Sequence, residues 1–350
     1  MKLKAYVLKD IGELEYKEIE KPVLKAGEVL VEVQAAGICG SDIPRIFQTG
    51  TYKFPLIPGH EFSGRVVEAY EEKDKLWLGK RVGIFPLIPC GSCFACKEEE
   101  YEMCRHYNYL GSRCNGGFAD YVAVPEWNLI ELPEKITFEE AAMLEPASVA
   151  LHAVRRVNLE DVKTVALFGL GTIGILMTQW LSIFGVKVLY AAGHQDEYGC
   201  LMQQTTNREY KFINSKKKDS VNFIMEHTNQ EGVDLAIDCA GAEDTIKSCL
   251  QTVRPGGQVL VVGNPKGDME LEKNIYWKIL RHQIRLIGTW NSFFNHSPQD
   301  DWQTAIQKCC EGELQLKKLI THRFQFDELT RGLDIMNINT EFRNKIMICK

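Results

Sequence analysis

The sequence predicts an α/β protein of two domains, one rich in β-strands and one built on a doubly wound parallel sheet. Its 350 residues exceed what one hydrophobic core usually serves. Up to about residue 150, short runs rich in β-branched residues alternate with Gly and Pro. Beyond that point, strand-like runs alternate with helical stretches, which is typical of a parallel sheet with helices on both faces.

The β-rich domain is predicted from three runs rich in β-branched residues, chiefly Val, at 29–35, 62–68 and 81–84. Residues 1–8 add a stretch of period-two character. Between the first two runs, 42–58 contains three prolines and a glycine. We expect an irregular loop there, beside the functional site, because binding residues concentrate on loops.

The parallel-sheet domain begins with a strand-like run at 161–168 and an apolar helix at 175–184. Three further strand-like runs follow, at 186–192, 233–238 and 257–263. This alternation predicts a doubly wound sheet with a ligand site at the carboxyl ends of its strands.

The C-terminal part returns to mixed composition, with a helix that starts near residue 301 and a closing strand at 343–349. We expect the closing strand to fold back onto the first domain. The predicted domains are therefore 1–150 with 287–350, and 151–286.

Composition and charge exclude several classes of function. With 45% hydrophobic and 25% charged residues the chain is of globular type, and its net charge of -6 offers no basic field for nucleic acid or an anionic membrane. The N-terminus has no apolar signal core, and no apolar run reaches the roughly 18 residues of a membrane span. We therefore expect a cytoplasmic protein, whose 12 cysteines are thiols and metal ligands rather than disulfides.

The most specific motif is a set of closely spaced cysteines, Cys90, Cys93, Cys96 and Cys104. Gaps of two residues let successive sulfurs bind one ion, and four thiolates close a tetrahedral structural zinc site. An iron–sulfur cluster takes the same ligands, and disulfides are the other alternative. We expect zinc, stabilising a lobe at 89–105 that has few apolar residues of its own.

A second group of metal-ligating residues lies in glycine-flanked turns and comprises Cys39, His60 and Glu61. Zinc accepts this mixture of sulfur, nitrogen and oxygen, and catalytic zinc sites keep one position open. Glu145 offers a further carboxylate. The alternative is that Cys39 is a small buried residue, His60 a core histidine and Glu61 a surface charge.

A glycine-rich turn follows the first strand of the second domain and opens a helix. This G-x-G-x-x-G context is the dinucleotide fingerprint of the Rossmann fold, with the pyrophosphate at the helix N-terminus. Predicted cofactor-binding residues lie in this turn and after later strands of the sheet. They are Gly169, Gly171, Thr172, Ile173, Gly174, Gly193, His194 and Gly263.

One position departs from the fingerprint. Gly193 and His194 stand where an acidic residue usually binds the ribose hydroxyls of NAD. Loss of that carboxylate makes room for the 2′-phosphate of NADP, but no arginine follows directly. Arg208 is a candidate partner for the phosphate, or a solvated surface charge, and the choice between NAD and NADP stays open.

Together these motifs and their order resemble the zinc-dependent medium-chain dehydrogenases over nearly the whole chain. Glu145-Pro146 followed by 149–153 is similar to the polyol dehydrogenase branch of that family. The resemblance implies a GroES-like first domain that carries catalysis, a Rossmann second domain, two zinc ions per chain, and NAD or NADP. We also expect a homodimer or homotetramer.

The resemblance also implies residue roles. Cys39, His60 and Glu145 would hold the catalytic zinc, with Glu61 a neighbour that enters or leaves the ligand shell. Ser41 would pass the alcohol proton outward; its alternative role is a turn residue that bonds its own backbone.

The segments 41–47, 110–113, 278–281 and 287–290 are similar to dehydrogenases of phosphorylated sugar alcohols. This implies oxidation of galactitol 1-phosphate to tagatose 6-phosphate, with an unphosphorylated polyol as the alternative substrate. A cationic group must then meet the phosphate. Arg45 and Arg113 are the candidates, although Arg113 is more typical of a surface charge, because exposed arginine is the norm.

Two rival hypotheses remain from the residues themselves. A quinone or enoyl reductase of the same fold would lack catalytic zinc, and the presence of Cys39, His60 and Glu145 argues against it. A non-enzymatic redox sensor would use both zinc sites structurally. That would leave unexplained why Cys39, His60 and Glu145 supply only three ligands, because structural zinc sites are normally closed by four protein ligands.

Overall fold

The computed structural model describes residues 2–206, 209–265, 267–338 and 341–350. Its strands are β1 (Lys2–Asp10), β2 (Glu13–Glu20), β3 (Glu28–Ile38), β4 (Glu61–Ala69), β5 (Arg81–Ile84), β6 (Leu87–Ile88), β7 (Asn108–Tyr109), β8 (Tyr121–Pro125), β9 (Leu129–Glu131), β10 (Thr164–Phe168), β11 (Val188–Gly193), β12 (Tyr210–Asn214), β13 (Val233–Asp238), β14 (Val253–Val261), β15 (Arg285–Gly288), β16 (Ile320–Gln325) and β17 (Lys345–Cys349). Its α-helices are α1 (Asp42–Phe47), α2 (Phe94–Lys97), α3 (Phe138–Ala142), α4 (Leu144–Arg155), α5 (Thr172–Ile183), α6 (Glu197–Thr205), α7 (Ser220–His227), α8 (Glu243–Thr252), α9 (Lys273–Arg281), α10 (Asp301–Cys310) and α11 (Leu329–Ile338).

The chain divides into two units. The first comprises Met1–Glu145, Phe293–Gly312 and Leu319–Lys350, and the second comprises Pro146–Ser292 and Glu313–Lys318. The first unit is discontinuous because its last strand, β17, pairs antiparallel with β3, with Ile346 opposite Ile38. The predicted return of the closing strand to the first domain is therefore observed.

The main sheet of the first unit has the order β16-β17-β3-β4-β5-β9, with β8 paired to the other part of β3. β3 is its longest strand and pairs antiparallel with β4, β8 and β17. Two register shifts interrupt its pairing with β4, and such bulges bend a strand locally. Apolar side chains from these strands form the core, among them Val29, Val31, Val33, Phe62, Val66, Val82, Ile84, Ile346 and Ile348.

The loop predicted as irregular between β3 and β4 contains a helix, α1, so that expectation was wrong for Asp42–Phe47. Ile46 is fully buried and belongs to the core of the first unit. Burial of this residue stabilises a turn of helix that the surrounding prolines and glycine do not suggest, because tertiary packing overrides weak local propensity.

The second unit has one parallel sheet with the strand order β12-β11-β10-β13-β14-β15. In this order the chain reverses direction across the sheet between β10 and β13, the position where doubly wound sheets bind ligands. The predicted fold class is confirmed. The first strand begins at Thr164 rather than 161, and the helix after it begins at Thr172 rather than 175.

Helices of the second unit are positioned by burial and by caps. α5 is apolar nearly all round, with Ile175, Met177 and Trp180 fully buried. α7 begins where the Asp219 side chain accepts a hydrogen bond from the amide of Asn222, at 3.1 Å. Within the described ranges, no helix has both the length and the apolar character that a membrane crossing requires.

Candidate metal centres and nucleotide site

The first candidate metal site lies at the end of the β3–β4 pair. Cys39 directly follows β3, His60 directly precedes β4, and Gly37 pairs with Glu61. Strand pairing thus brings together residues that are distant in the sequence. One ligand atom from each of Cys39, His60 and Glu61 lies within 4.8 Å of the other two. His60 and Glu61 are buried, and Cys39 is half-buried.

The carboxylate of Asp42 contacts this group. Its Oδ2 accepts a hydrogen bond from the Cys39 amide at 3.0 Å, and its Oδ1 accepts one from Arg45 Nη1 at 2.7 Å. Burial alone would raise the pKa of Asp42, but the charges of His60 and Arg45 and these hydrogen bonds lower it. The carboxylate is therefore ionised, and its Oδ1 lies 3.6 Å from Nδ1 of His60.

The donor set fits zinc. Sulfur, imidazole nitrogen and carboxylate oxygen are ligands that zinc accepts together. Nδ1 of His60 is buried and finds no hydrogen-bond partner among the described residues. A carboxylate facing one nitrogen of a metal-bound histidine is the usual way to orient the ring, and it leaves Nε2 for the ion.

Lys345 is a residue of this site that the sequence analysis missed. Its ammonium group lies 2.5 Å from Oε2 of Glu61 and donates to the carbonyl of Ile38 at 3.2 Å. Both side chains of the ion pair are buried, at 3% and 1% exposure. Glu61 is thus bound to a cation on its Oε2 side. A lysine in the otherwise apolar run of β17 was the available signal.

Glu145 lies near this group but outside the set of three. It is buried in the first turn of α4, and Tyr109 donates a hydrogen bond from its hydroxyl to Oε1 at 3.1 Å. Burial raises the pKa of Glu145 to about 7. The charge of Glu61 also raises this pKa, whereas the charges of His60 and Lys345 lower it. Tyr109 is a further residue that the sequence analysis did not identify; its ring centroid is 5.9 Å from that of His60.

The other predicted residues of the first unit have distinct surroundings. Ser41 occupies the N-cap position of α1, and its side chain makes no capping hydrogen bond. Arg45 donates a hydrogen bond from Nη1 to the carboxylate of Asp42. Arg113 lies between two aromatic rings, with its guanidinium carbon 4.1 Å from the ring centroid of Tyr52 and 4.2 Å from that of Tyr107.

The four-cysteine group is assembled as predicted by spacing. Sulfur–sulfur distances are 3.6 Å for Cys93–Cys96, 3.8 Å for Cys93–Cys104 and 3.9 Å for Cys90–Cys96. Four sulfurs at the zinc–sulfur distance of about 2.3 Å form a tetrahedron with edges of about 3.8 Å. A disulfide would need about 2.05 Å. The geometry fits zinc, and the cysteines are free thiols.

Backbone amides support the same group. The amide of Cys90 donates to Cys104 Sγ at 3.3 Å. Hydrogen bonds from the amides of Ser92 and Cys93 lower the pKa of the Cys90 thiol to about 5. A thiol of low pKa is present as the thiolate, which is the form that binds metal.

The glycine-rich turn of the second unit also fits its predicted ligand. Gly171 is the N-cap of α5, and a Cβ placed there would meet no atom within 4 Å. Open space therefore lies at the N-terminus of α5, where a pyrophosphate is stabilised by free amides and the helix dipole. A Cβ at Gly174 would overlap the carbonyl oxygen of Gly169, so the helix and the turn pack at the contact distance that only glycine allows.

The remaining predicted cofactor residues fall into three groups. Gly193 and His194 line a cavity at the carboxyl ends of β10 and β11, together with Gly169. Thr172 and Ile173 form the first turn of α5. Gly263 instead lies against Gly241, and its amide donates to the Asp238 carbonyl at 2.9 Å. Arg208, the suggested phosphate partner, lies outside the described residues.

Two protein-family models match the chain. The alcohol dehydrogenase GroES-like domain matches residues 25–134, and the zinc-binding dehydrogenase model matches residues 172–311. Together they cover the β-rich part and most of the second unit.

Individual relatives extend this match over nearly the full length. The galactitol 1-phosphate 5-dehydrogenase of Escherichia coli strain K12 is 32% identical over 306 residues, which are 87% of this chain and 88% of that enzyme. A crystal structure of galactitol-1-phosphate dehydrogenase from Escherichia coli has a TM-score of 0.90 over 99% of this chain and 100% of that one, with 31% identity.

Two further proteins are similar to the chain. The sorbitol dehydrogenase of Bacillus subtilis strain 168 is 29% identical over 99% of this chain and 96% of that enzyme. A zinc-binding dehydrogenase of Sinorhizobium meliloti 1021, crystallised with NADP, has a TM-score of 0.89 and 26% identity, and covers 100% of both chains.

These matches confirm the resemblance, the enzyme class and the cofactors inferred from the motifs. They argue against the non-enzymatic redox sensor, because the family matches and the zinc-ligating residues both indicate a dehydrogenase. The chain therefore belongs to the zinc-binding dehydrogenase family, within its alcohol and polyol dehydrogenases, and is an oxidoreductase that uses zinc and NAD(P).

Proposed function

We propose that the enzyme oxidises a phosphorylated sugar alcohol, galactitol 1-phosphate, to tagatose 6-phosphate. In this reaction one carbon–hydrogen bond of the substrate gives up a hydride to NAD(P), and the hydroxyl on the same carbon loses its proton. The observation that carries the phosphate assignment is the environment of Arg113, whose Nε is buried without a hydrogen-bond partner among the described residues.

Cys39, His60 and Glu145 would hold the catalytic zinc, and Glu61 would stand beside it, bound to Lys345. When bound, zinc supplies a Lewis acid that lowers the pKa of the substrate hydroxyl, and the dinucleotide supplies the hydride acceptor. Ser41 then passes the hydroxyl proton outward. Its half-buried position and its missing capping bond support this role, because the hydroxyl is not committed to α1.

Arg113 is the favoured phosphate partner. The rings of Tyr52 and Tyr107 hold its guanidinium on both sides, and Nη1 donates to the Tyr107 carbonyl at 3.2 Å. Tyr107 in turn contacts Tyr109, whose ring lies next to His60. A series of ring contacts therefore connects the metal ligands to a cation with unused donors, and arginine is well suited to phosphate.

Arg45 has weaker support as a phosphate partner. Its side chain is 18% exposed and pairs with Asp42, which faces His60. Loss of Arg45 would therefore disturb the orientation of a metal ligand and would affect every substrate. Arg113 has no such link to Asp42.

The test compares Arg113→Ala and Arg45→Ala with two substrates, galactitol 1-phosphate and galactitol. Removing a charge-assisted hydrogen bond costs about 1.5–3 kcal/mol. We therefore expect Arg113→Ala to raise KM for the phosphate ester on the order of 10- to 100-fold. KM for galactitol should stay within about twofold, and Arg45→Ala should lower turnover of both substrates alike.

Equal losses for both substrates in Arg113→Ala would contradict a phosphate role for this residue. Higher kcat/KM of the wild type for galactitol or sorbitol than for galactitol 1-phosphate would favour the second candidate, an unphosphorylated polyol dehydrogenase. That candidate is supported by the similarity to the sorbitol dehydrogenase of Bacillus subtilis.

We further propose a homodimer or homotetramer as the active form. β15 is an edge strand of the parallel sheet, and its Leu286 is 50% exposed. On α9, the element before it, Tyr276 and Leu280 are also more than half exposed. Large exposed apolar side chains near a sheet edge mark interaction surfaces. Light scattering after size exclusion measures the mass, and a mass of 39.8 kDa would contradict the proposal.

A further inference from the structure

The cavity at the carboxyl ends of the parallel strands is the candidate site for the dinucleotide. It has a volume of about 430 Å³. Residues after β11 and β12 line one part of it, and residues of α8 line another. The first part holds Gly193, His194, Ser215 and Lys218, and the second holds Asp244 and Thr245.

Gly193 leaves no place for the acidic side chain that NAD-binding sheets carry at this position. A Cβ there would lie 2.9 Å from Leu170 Cδ1 and 3.1 Å from Tyr198 Cδ2. The next acid in the chain, Asp196, is engaged elsewhere. It accepts a hydrogen bond from Asn214 Nδ2 at 2.6 Å and pairs with Lys217 Nζ at 2.5 Å. Neither Gly193 nor Asp196 therefore offers a free carboxylate to the ribose hydroxyls.

The segment that follows β12 lies beside Gly193 instead. β11 and β12 are parallel, with Gly193 opposite Asn214, so residues that follow β12 lie beside Gly193. Ser215 donates to the Gly193 carbonyl from its amide at 2.8 Å and from its hydroxyl at 3.2 Å. The amides of Lys217 and Lys218 both donate to the Asn214 carbonyl at 3.0 Å, which turns the chain at the cavity.

Lys218 is the cation of this cavity. Its ammonium lies 3.9 Å from the ring centroid of Phe223, and it pairs with no carboxylate among the described residues. Of the acids that face the same space, Asp219 is engaged as the cap of α7, with both oxygens bonded to Asn222. Asp244 belongs to the α8 part of the lining.

We propose that this cavity binds the 2′-phosphate of NADP, through the ammonium group of Lys218, and that the enzyme prefers NADP to NAD. The ammonium of Lys218 favours an anion beside Gly193, and the ribose of NAD would lack the carboxylate partner that usually stands at this position. The proposal rests on the dinucleotide dependence of the proposed function, but not on which polyol is oxidised.

The test measures binding by calorimetry, without any polyol. Adenosine 2′,5′-bisphosphate and adenosine 5′-monophosphate differ only in the 2′-phosphate. We expect the wild type to bind the bisphosphate on the order of 10- to 100-fold more tightly. Lys218→Met should reduce this ratio to about threefold or less, and Lys218→Arg should keep it. NADP should likewise bind more tightly than NAD.

Lys216→Met is the matched control, because Lys216 belongs to the same exposed lysine tract but does not line the cavity. It should keep the wild-type ratio. An equal fall in Lys216→Met and Lys218→Met would overturn the assigned contact. Tighter binding of NAD than of NADP would overturn the preference while leaving the proposed function intact. Failure of the enzyme to bind either dinucleotide would overturn both.

Discussion

Lys345 and Glu61 form the buried ion pair on which the charge balance of the first metal site depends. Two ions taken out of water are costly unless they face each other, and removal of one partner leaves an uncompensated charge. Glu61 also approaches Gly37 so closely that a Cβ at that position would collide with its Oε2. Lys345 and Gly37 therefore both lie against Oε2 of Glu61.

Lys345→Met should destabilise the protein by about 3–5 kcal/mol, because Glu61 would remain buried without a counter-ion. The midpoint of urea unfolding measures this. Lys350→Met is the control, since Lys350 pairs with Glu32 at the surface and such pairs contribute about 0–1 kcal/mol. Lys345→Met with Glu61→Gln should recover part of the loss. Equal midpoints for Lys345→Met and Lys350→Met would argue against a structural role for the pair.

At the residue scale, the sequence was informative where ligands follow a local motif. Cys39 and His60 stand in glycine-flanked turns. They could be identified as metal ligands because thiolate sulfur and imidazole nitrogen are typical donors to zinc. Lys345 was not found because its partner is 284 residues away, and no local spacing connects the two. Asp42 could not be identified from the sequence either, because its contact with His60 depends on the position of α1.

At the element scale, the four-cysteine lobe holds little apolar core and depends on its thiolates. Of its residues, Phe94 is 73% exposed, and α2 is only four residues long. Such a short helix is not stable alone. Metal binding would thus supply the folding free energy of the lobe.

Cys93→Ser should cost about one zinc ion per chain and destabilise the lobe, while the ligands of the first site stay intact. Zinc content by atomic emission and limited proteolysis of the lobe measure the two effects. Cys200→Ser is the control, because Cys200 is an exposed thiol outside both groups. A Cys93→Ser protein that still held two zinc ions would refute the assignment.

Substitution of Gly171, at the start of α5, can test dinucleotide binding by the turn without disturbing its folding. Gly171→Ala should fold normally, because its Cβ would enter open space. The added methyl group would occupy the place of the pyrophosphate and weaken dinucleotide binding on the order of tenfold or more. Calorimetric titration with NADP and a thermal melt check this. Gly267→Ala, at another open position, should change neither quantity; unaltered NADP affinity in Gly171→Ala would disprove the role.

Elements were predictable where period and composition agree. β5 and β13 have the bounds that the sequence indicated, at Arg81–Ile84 and Val233–Asp238. The start of β10 was placed three residues early, since 161–163 contain one β-branched residue, Val162, between two charged ones and do not join the strand pairing, which begins at Thr164. α1 was missed because prolines and a glycine dominate its local signal, whereas its stability comes from the burial of Ile46.

At the scale of the whole molecule, two structural units serve two different ligands. The first carries both metal-ligand groups, and the second carries the parallel sheet and the nucleotide cavity. The family could be recognised from the sequence because both sets of motifs occur in one chain in the expected order. The surroundings of the proposed phosphate partner could not be predicted, because Tyr52, Tyr107 and Arg113 come together only in the folded chain.

The most direct test of the account follows turnover while zinc is returned to the metal-depleted enzyme. Formation of reduced dinucleotide is recorded with the best polyol substrate as zinc is added in steps, for the wild type and for Cys39→Ser. We predict no turnover without metal, full recovery of the wild type at two zinc ions per chain, and no recovery of Cys39→Ser. Full turnover of the wild type with the Cys39 and His60 site empty would contradict the account.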